Sequence, residues 1–248
     1  MNGARLSVSW LTVLPVRGPG EVDRAVAGRA IAWAPVVGVL LGGAAAGLLW
    51  GLGELGASWL LAGFLAVAGL ALITRGMHLD GLADTMDGLG SYGSPERARE
   101  IMKTGGVGPF GVAALVFTIG IQAFSLAALA GAGHWLAVVA AVAVGRVAVV
   151  LACRRGIEAA PGAGFGALVA GTQIPVVGFV WGGIACIAAV FATENPWQGP
   201  LAVVVALATS MVLVRHCVRR FGGLNGDVLG AALELSVTIT AVMLSLTR

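Results

Sequence analysis

Seven stretches of this chain are each nearly as long and as apolar as the core of a lipid bilayer demands, and almost all charge lies between them. They cover residues 31–50, 57–74, 109–129, 135–153, 174–192, 201–218 and 228–246. A hydrocarbon core is about 30 Å thick, and a helix needs about 20 apolar residues to cross it. In lipid every backbone N–H and C=O must find its partner inside the segment, which leaves the helix as the natural form of such a run. The pattern predicts an all-α polytopic membrane helix bundle with about seven transmembrane helices, built as a single integral-membrane domain over residues 1–248.

Composition agrees. Hydrophobic residues make up 58% of the chain and charged residues 11%, against about 25% charged in a soluble domain. So little charge cannot cover a water-exposed surface, so much of the surface faces membrane lipid. The 39 glycines fit the same expectation, because membrane helices gain stability from close backbone approach. Cys153, Cys186 and Cys217 have no Cys-x-x-Cys spacing, so neither a disulfide framework nor a zinc site is expected.

Basic charge then sets the orientation. Arg5, Arg17, Arg24 and Arg29 precede the first span, and Arg75, Arg97, Arg99 and Lys103 follow the second. Arg146, Arg154 and Arg155 come at the end of the fourth, and Arg215, Arg219 and Arg220 at the end of the sixth. The alternate connections hold no Lys or Arg, and of the 15 basic residues only Arg248 falls on the other side. By the positive-inside rule the N-terminus is cytoplasmic and the C-terminus outside. The net charge of +3 is thereby explained by topology, and no nucleic-acid partner is expected. Residues 1–30 read as a cytoplasmic or interfacial segment rather than a cleavable signal, since the apolar stretch 8–16 is interrupted by Pro15. Arg146 lies inside a span and must either snorkel or face a polar cavity. Asp80, Asp84, Asp87, Glu96, Glu100 and Asp227 all fall on the basic side. The chemistry of a multi-pass inner-membrane protein of this kind is expected at its cytoplasmic face.

Three segments there carry candidate chemistry. The first, 78–88, lies in a cytoplasmic loop spanning 75–108 and holds Asp80, Asp84 and Asp87 at i, i+4 and i+7. On a helix these fall within an arc of roughly 60°. Three like charges on one face repel each other, and a divalent cation reverses the sign of that interaction. Oxygen ligands of this kind suit Mg2+, with substrate phosphate completing the shell. The alternative is a solvated acidic loop or a capping cluster beside a helix. His78 adjoins the trio and is a candidate catalytic residue with Asp84 and Asp87, either His78 or Asp87 serving as general base.

The second segment, 100–111, runs from Lys103 through a Gly-rich turn to Pro109 at the start of the third span. Free N–H groups at a helix start attract phosphate, and Lys103 would add a point charge; the alternative is a flexible bend into the bilayer. The third, 219–231, sets Arg219 and Arg220 before a turn containing Asn225 and Gly226, with Asp227 at the mouth of the last span. The arginines would grip phosphate oxygens or serve topology alone, and Asp227 would complete a metal site begun by Asp80, Asp84 and Asp87. Together the three suggest metal-assisted transfer of a phosphoryl-linked group to an alcohol.

At these segments the chain resembles the cobalamin synthase family, the adenosylcobinamide-GDP ribazoletransferases. The matching pieces are H-L-D-G-L-A-D-T-M-D-G-L-G at 78–90, E-I-M-K-T-G-G-V-G-P-F-G at 100–111 and R-R-F-G-G-L-N-G-D-V-L-G-A at 219–231. Similar too are L-T-V-L-P-V at 11–16, W-A-P-V-V-G-V-L-L-G at 33–42, A-C-R-R-G at 152–156 and G-A-L-V-A-G-T at 166–172. The resemblance implies a magnesium-dependent membrane enzyme. It would join adenosylcobinamide-GDP to α-ribazole or its 5′-phosphate, the ribose 3′-hydroxyl displacing GMP, in the last step of nucleotide-loop assembly. It also implies substrate-binding roles for Arg154 and Arg155 beside Lys103, Arg219, Arg220, Asn225 and Gly226. The sequence differs from the family pattern at Thr104–Gly105–Gly106, where family members often have an acidic residue. It differs again at Pro161–Gly162–Ala163, where they tend to carry Arg-Pro-acidic. A CDP-alcohol phosphotransferase is the nearest alternative, but its D-G-x-x-A-R and D-x-x-x-D pattern is absent here. A small ion-coupled transporter is the other alternative, and it would place its carboxylates nearer the bilayer midplane.

Overall fold

The computed structural model describes residues 2–103 and 105–246. Thr104, one of the positions that depart from the family pattern, and Arg248, the one basic residue expected outside, lie beyond the described residues. Among the described residues the regular secondary structure is helical, apart from the isolated bridges Arg154–Gln173 and Ala159–Leu224.

A short helix, α1 (Asn2–Leu11), lies against α2 (Arg24–Glu54). Asp23 starts α2 by accepting a hydrogen bond from Val26 N at 2.7 Å, satisfying one of the N–H groups a helix start leaves free. This cap puts Arg24 and Arg29 on the helix itself, so the first span begins a turn or two earlier than hydropathy alone indicated. Four more helices are long and apolar enough to span: α6 (Pro109–Gly131), α7 (Trp135–Ala152), α10 (Gln198–Phe221) and α11 (Gly226–Ser245). With α2 they make five of the seven expected spans.

The other two are shorter. Helix α3 (Trp59–Ile73) has 15 residues, about 22 Å of rise, less than a hydrocarbon core. It turns by 92° into α4 (Met77–Gly90), so that the pair counts at most as one broken span. The cause is the two left-handed residues between them, Arg75 (φ 58°) and Gly76 (φ 67°), of which only glycine adopts that region without strain. Arg75 is held there by donating to the Trp10 carbonyl at 2.7 Å. Helix α9 (Pro175–Ala189), also 15 residues, ends at Val190, ahead of a run of turns in which Asn195 Oδ1 accepts from Trp197 N at 3.1 Å. Among the described residues the expected count of about seven thus becomes five long helices, six at most by length and composition.

The segment 75–108, expected as a loop, is largely helical. Helix α4 packs across the basic end of the bundle against α6 and α11, and α5 (Pro95–Lys103) caps α4 through buried Ala98 and Met102. Helices α7 and α11 form the centre. Close approach explains part of the glycine content: a Cβ on Gly42 of α2 would sit 2.8 Å from Val139 Cα of α7. Apolar side chains such as Phe117, Phe179, Ile187 and Val212 point outward, each at least 67% exposed, as lipid-facing positions do.

Candidate active site

Two helix starts meet at the basic end. Asn225 caps α11, its Oδ1 accepting from Val228 N at 2.9 Å, while its Nδ2 donates to Asp227 Oδ2 at 3.2 Å. Helix α4 passes directly over this start: a Cβ on Gly81 would lie 2.9 Å from both Cα and O of Asp227. That backbone contact brings Asp80 and Asp84 beside Asp227, from helices about 140 residues apart in sequence.

The charges feel one another. Partial burial, then Asp80, Asp227 and Asp87 in that order, push the Asp84 carboxyl up to about 6. No member of the group is neutralised by an ion pair, since among the described residues the ion pairs are Arg97–Glu100 and Arg99–Glu96. Among the described residues, three His, Cys, Asp or Glu side chains are nowhere gathered as a metal centre. The carboxylates share a surface without converging on one point.

Asp87 stands apart from the other two. It is 8% exposed and accepts from Gly108 N at 2.6 Å and Gly111 N at 2.8 Å. Both of its oxygens are spent on the start of α6, where a negative charge meets free N–H groups and the positive end of the helix dipole. The capping alternative therefore holds for Asp87. His78 is turned away from the carboxylates. It lies on the opposite face of α4, buried, where it lines an interior cavity with Arg146, Gln122 and Glu234.

Beside the carboxylates opens a cleft walled by Lys103, Arg99, Pro161, Phe165, Asn225 and Asp227. Lys103 Nζ lies close over Gly162, 3.3 Å from where a Cβ would stand. The segment 158–166 is clamped onto the turn before α11: Leu224 N donates to Glu158 O at 2.8 Å and Ala160 N to Leu224 O at 2.9 Å. Gly223, at φ 149°, packs so tightly there that a Cβ would meet Ala160 N and Ala159 C and stand 2.6 Å from Ala159 O. On the far side Arg24 holds the short helix α8 (Gly164–Val169), donating to the carbonyls of Ala167 and Ala170. Trp10 meets Phe165 edge to face at 5.0 Å.

The remaining expected residues divide. Lys103, Asn225 and Gly226 line the cleft. Arg220 instead donates to the Ser91 carbonyl at 3.1 Å, tying α10 to the end of α4. Arg154 turns into a groove between α9 and α10, donating to Leu151 O at 3.1 Å. Arg155 and Arg219 are exposed. Arg99 was expected only as a topological charge, yet it lines the cleft and donates to Phe221 O at 2.7 Å. The signal that would have found it is the amphipathic pattern of α5, whose buried Ala98 and Met102 fix where Arg99 and Lys103 point.

Comparison with known proteins agrees with the resemblance read from the motifs. Residues 3–245 match the family described as cobalamin-5-phosphate synthase. An adenosylcobinamide-GDP ribazoletransferase of Corynebacterium efficiens is 41% identical over 250 residues, covering 97% of this chain and 90% of that protein. One from Nocardioides sp. is 40% identical over 236 residues, covering 95% of each. One from Frankia casuarinae is 36% identical over 268 residues, covering 100% of this chain and 95% of that one. No solved structure matches the chain.

Proposed function

The chain belongs to the cobalamin-5-phosphate synthase family, and from that premise we propose how its basic end performs the adenosylcobinamide-GDP ribazoletransferase reaction, the last assembly step of the cobalamin nucleotide loop. The hydroxyl of α-ribazole, or of its 5′-phosphate, attacks the phosphorus bound to cobinamide. One P–O bond forms, the P–O bond to GMP breaks, the hydroxyl proton passes to solvent water, and GMP departs as its phosphate anion. The observation that carries this reading is the contact at Gly81, which unites Asp80, Asp84 and Asp227 beside a cleft containing Lys103.

By its chemistry the donor set suits a hard divalent cation, with carboxylate oxygens from two helices and none in an ion pair among the described residues, and binding would have to draw together carboxylates that share a surface without converging on one point. Asp80, Asp84 and Asp227 would hold Mg2+, which when bound supplies charge neutralisation for the phosphate oxygens. Asp87 is reserved for the start of α6 and His78 for the bundle interior, so neither is the base. Lys103 and the free N–H groups at the start of α11 take the phosphate oxygens pointing away from the carboxylates. The excess of basic residues at this end supports a cytoplasmic site by the positive-inside rule.

The direct test is GMP release by purified protein in nanodiscs given adenosylcobinamide-GDP and α-ribazole 5′-phosphate. Magnesium-dependent GMP with equimolar corrinoid product is expected. A folded protein that releases GMP equally well in EDTA would reject the metal assignment, and one that forms no product would reject this view of the site. Lys103→Ala is expected to raise the KM for adenosylcobinamide-GDP about tenfold, the worth of one charge-assisted hydrogen bond; an unchanged KM would move phosphate binding elsewhere.

Asp84 also dictates a pH signature. Its folded-state pKa, about 6, is raised above the ordinary 3.8, so its contribution to stability is present at low pH and lost as pH rises through about 6. Between pH 5 and 7.5 chelated wild-type protein is therefore expected to lose melting temperature relative to Asp84→Asn, which keeps every other titrating group, His78 among them, and millimolar Mg2+ to remove most of that difference. A melting temperature in EDTA that changes from pH 5 to 7.5 no differently in wild type than in Asp84→Asn would contradict the charge cluster.

A further inference from the structure

Behind the carboxylate face, the interior of the bundle holds charges that the reaction does not use. Arg146 of α7 is 3% exposed and Glu234 of α11 is 8% exposed, at a depth where ionised groups are expensive and ordinarily paired. They do not form a salt bridge: the ion pairs among the described residues lie elsewhere, on α5. Glu234 Oε2 accepts from Gln122 Nε2 at 2.7 Å, and the same Gln122 nitrogen donates to Thr238 Oγ1 at 3.0 Å. Arg146 Nη1 donates to Val142 O at 3.1 Å, but its buried Nε meets no protein acceptor.

Between these groups is a cavity that leaves about 20 Å3 for the centre of a water-sized molecule. Roughly 10–15 Å3 is enough for one water, provided two to four polar groups surround it. The walls supply them: Thr74, His78, Gln122, Arg146 and Glu234. They come from the α3–α4 hinge, α4, α6, α7 and α11, the elements that meet at the 92° bend.

We propose that one water molecule occupies this cavity and bridges Arg146 to Glu234 and His78, and that the bridged pair acts as a positioning device setting α4 against α11. Arg146, Glu234 and His78 touch no substrate. Their effect passes through the hinge: His78 is two residues before Asp80, and a Cβ on Gly230 would stand 2.9 Å from His78 O. A shift of His78 therefore slides Asp80 and Asp84 along Asp227. This positioning role rests on the metal site proposed above; the water and the charge coupling do not.

The test uses the full chain in nanodiscs. Arg146→Met and Glu234→Met each strand one buried charge and are expected to lower the melting temperature by about 10 °C. The double substitution strands none and is expected to regain at least half of that loss. Losses that simply add would overturn the coupling, and a high-resolution map with a dry cavity or a direct Arg146–Glu234 pair would overturn the water. In the folded double variant, Mn2+ affinity measured by electron paramagnetic resonance is expected to fall at least tenfold, while KM for both substrates moves less than about threefold. Wild-type Mn2+ affinity in that variant would overturn the positioning role. Wild-type protein that binds no Mn2+ would instead reject the carboxylate metal site and with it the positioning role, leaving the water and the coupling to be decided by the map and the melting temperatures.

Discussion

Asp84→Asn protein is expected to fold and melt as wild type at pH 5, where Asp84 is largely protonated, and to release GMP about 10²–10³-fold more slowly at neutral pH. The substitution keeps the shape of the side chain and removes only its charge. Asp84 lies in the middle of the acidic group, its carboxyl raised by partial burial and then by Asp80, Asp227 and Asp87, so its loss weakens any cation held there more than the loss of an outlying ligand. Removal of one preorganised electrostatic contact to a developing charge typically costs that much in rate. The informative comparison is Asp87→Asn. Its two bonds, to Gly108 N and Gly111 N, exchange a charged acceptor for a neutral one with a single carbonyl oxygen. Stability should fall by about 1–3 kcal/mol while the residual folded enzyme keeps most of its kcat. If instead Asp87→Asn abolished turnover in a stable protein and Asp84→Asn did not, the roles assigned to the two carboxylates would be reversed.

Gly223→Ala should be the most damaging single-methyl change in the soluble-facing half of the protein. Its backbone sits at φ 149° and its missing Cβ would run into the main chain of Ala159 and Ala160. Main-chain atoms cannot rotate aside as a side chain does, so the clamp must open. A residue forced into such a region costs about 1–3 kcal/mol before any clash is counted. We expect a lower melting temperature, new proteolytic cleavage within 157–166, and a KM for adenosylcobinamide-GDP raised at least tenfold as the cleft wall formed by Pro161 and Phe165 moves away. Gly164→Ala is the control: nothing lies within 4 Å of its Cβ position, and the change should stay within about 0.5 kcal/mol. Equal behaviour of the two variants would show that the clamp does not shape the cleft.

How much of this was legible beforehand depends on the distance over which each contact acts. The spans follow from hydropathy because lipid imposes it on every residue alike. The helical spacing of the trio was legible too, as was the kinship of Asp227 with it through the shared motif set. What sequence spacing could not tell was which carboxylate faces what. Asp87 shares the arc of Asp80 and Asp84, yet the start of α6, 21 residues on in the case of Gly108, claims it. His78 looked catalytic by adjacency, but two residues along a helix is a turn of 200°, enough to bury it. Arg154 and Arg220 were grouped with the phosphate binders by motif, and tertiary neighbours that no local pattern encodes, Leu151 O and Ser91 O, decide their direction. The apolar runs 57–74 and 174–192 do become helices, α3 and α9, but of 15 residues each, because hydropathy continues through residues that the turns at their ends take out of the helix.

The pair of bonds from Asp87 to the start of α6 has a consequence for how this protein tolerates changes in length. They join the two ends of the segment 91–107, so residues inserted or deleted within it alter a closed ring rather than the spacing of the helices it connects. Doubling such a ring costs only about 0.6 kcal/mol in closure entropy. Insertions placed before Pro95 should leave α4 and α6 where they are, whereas a single residue added between Gly108 and Gly111 would unfasten the ring and change the register of everything that follows.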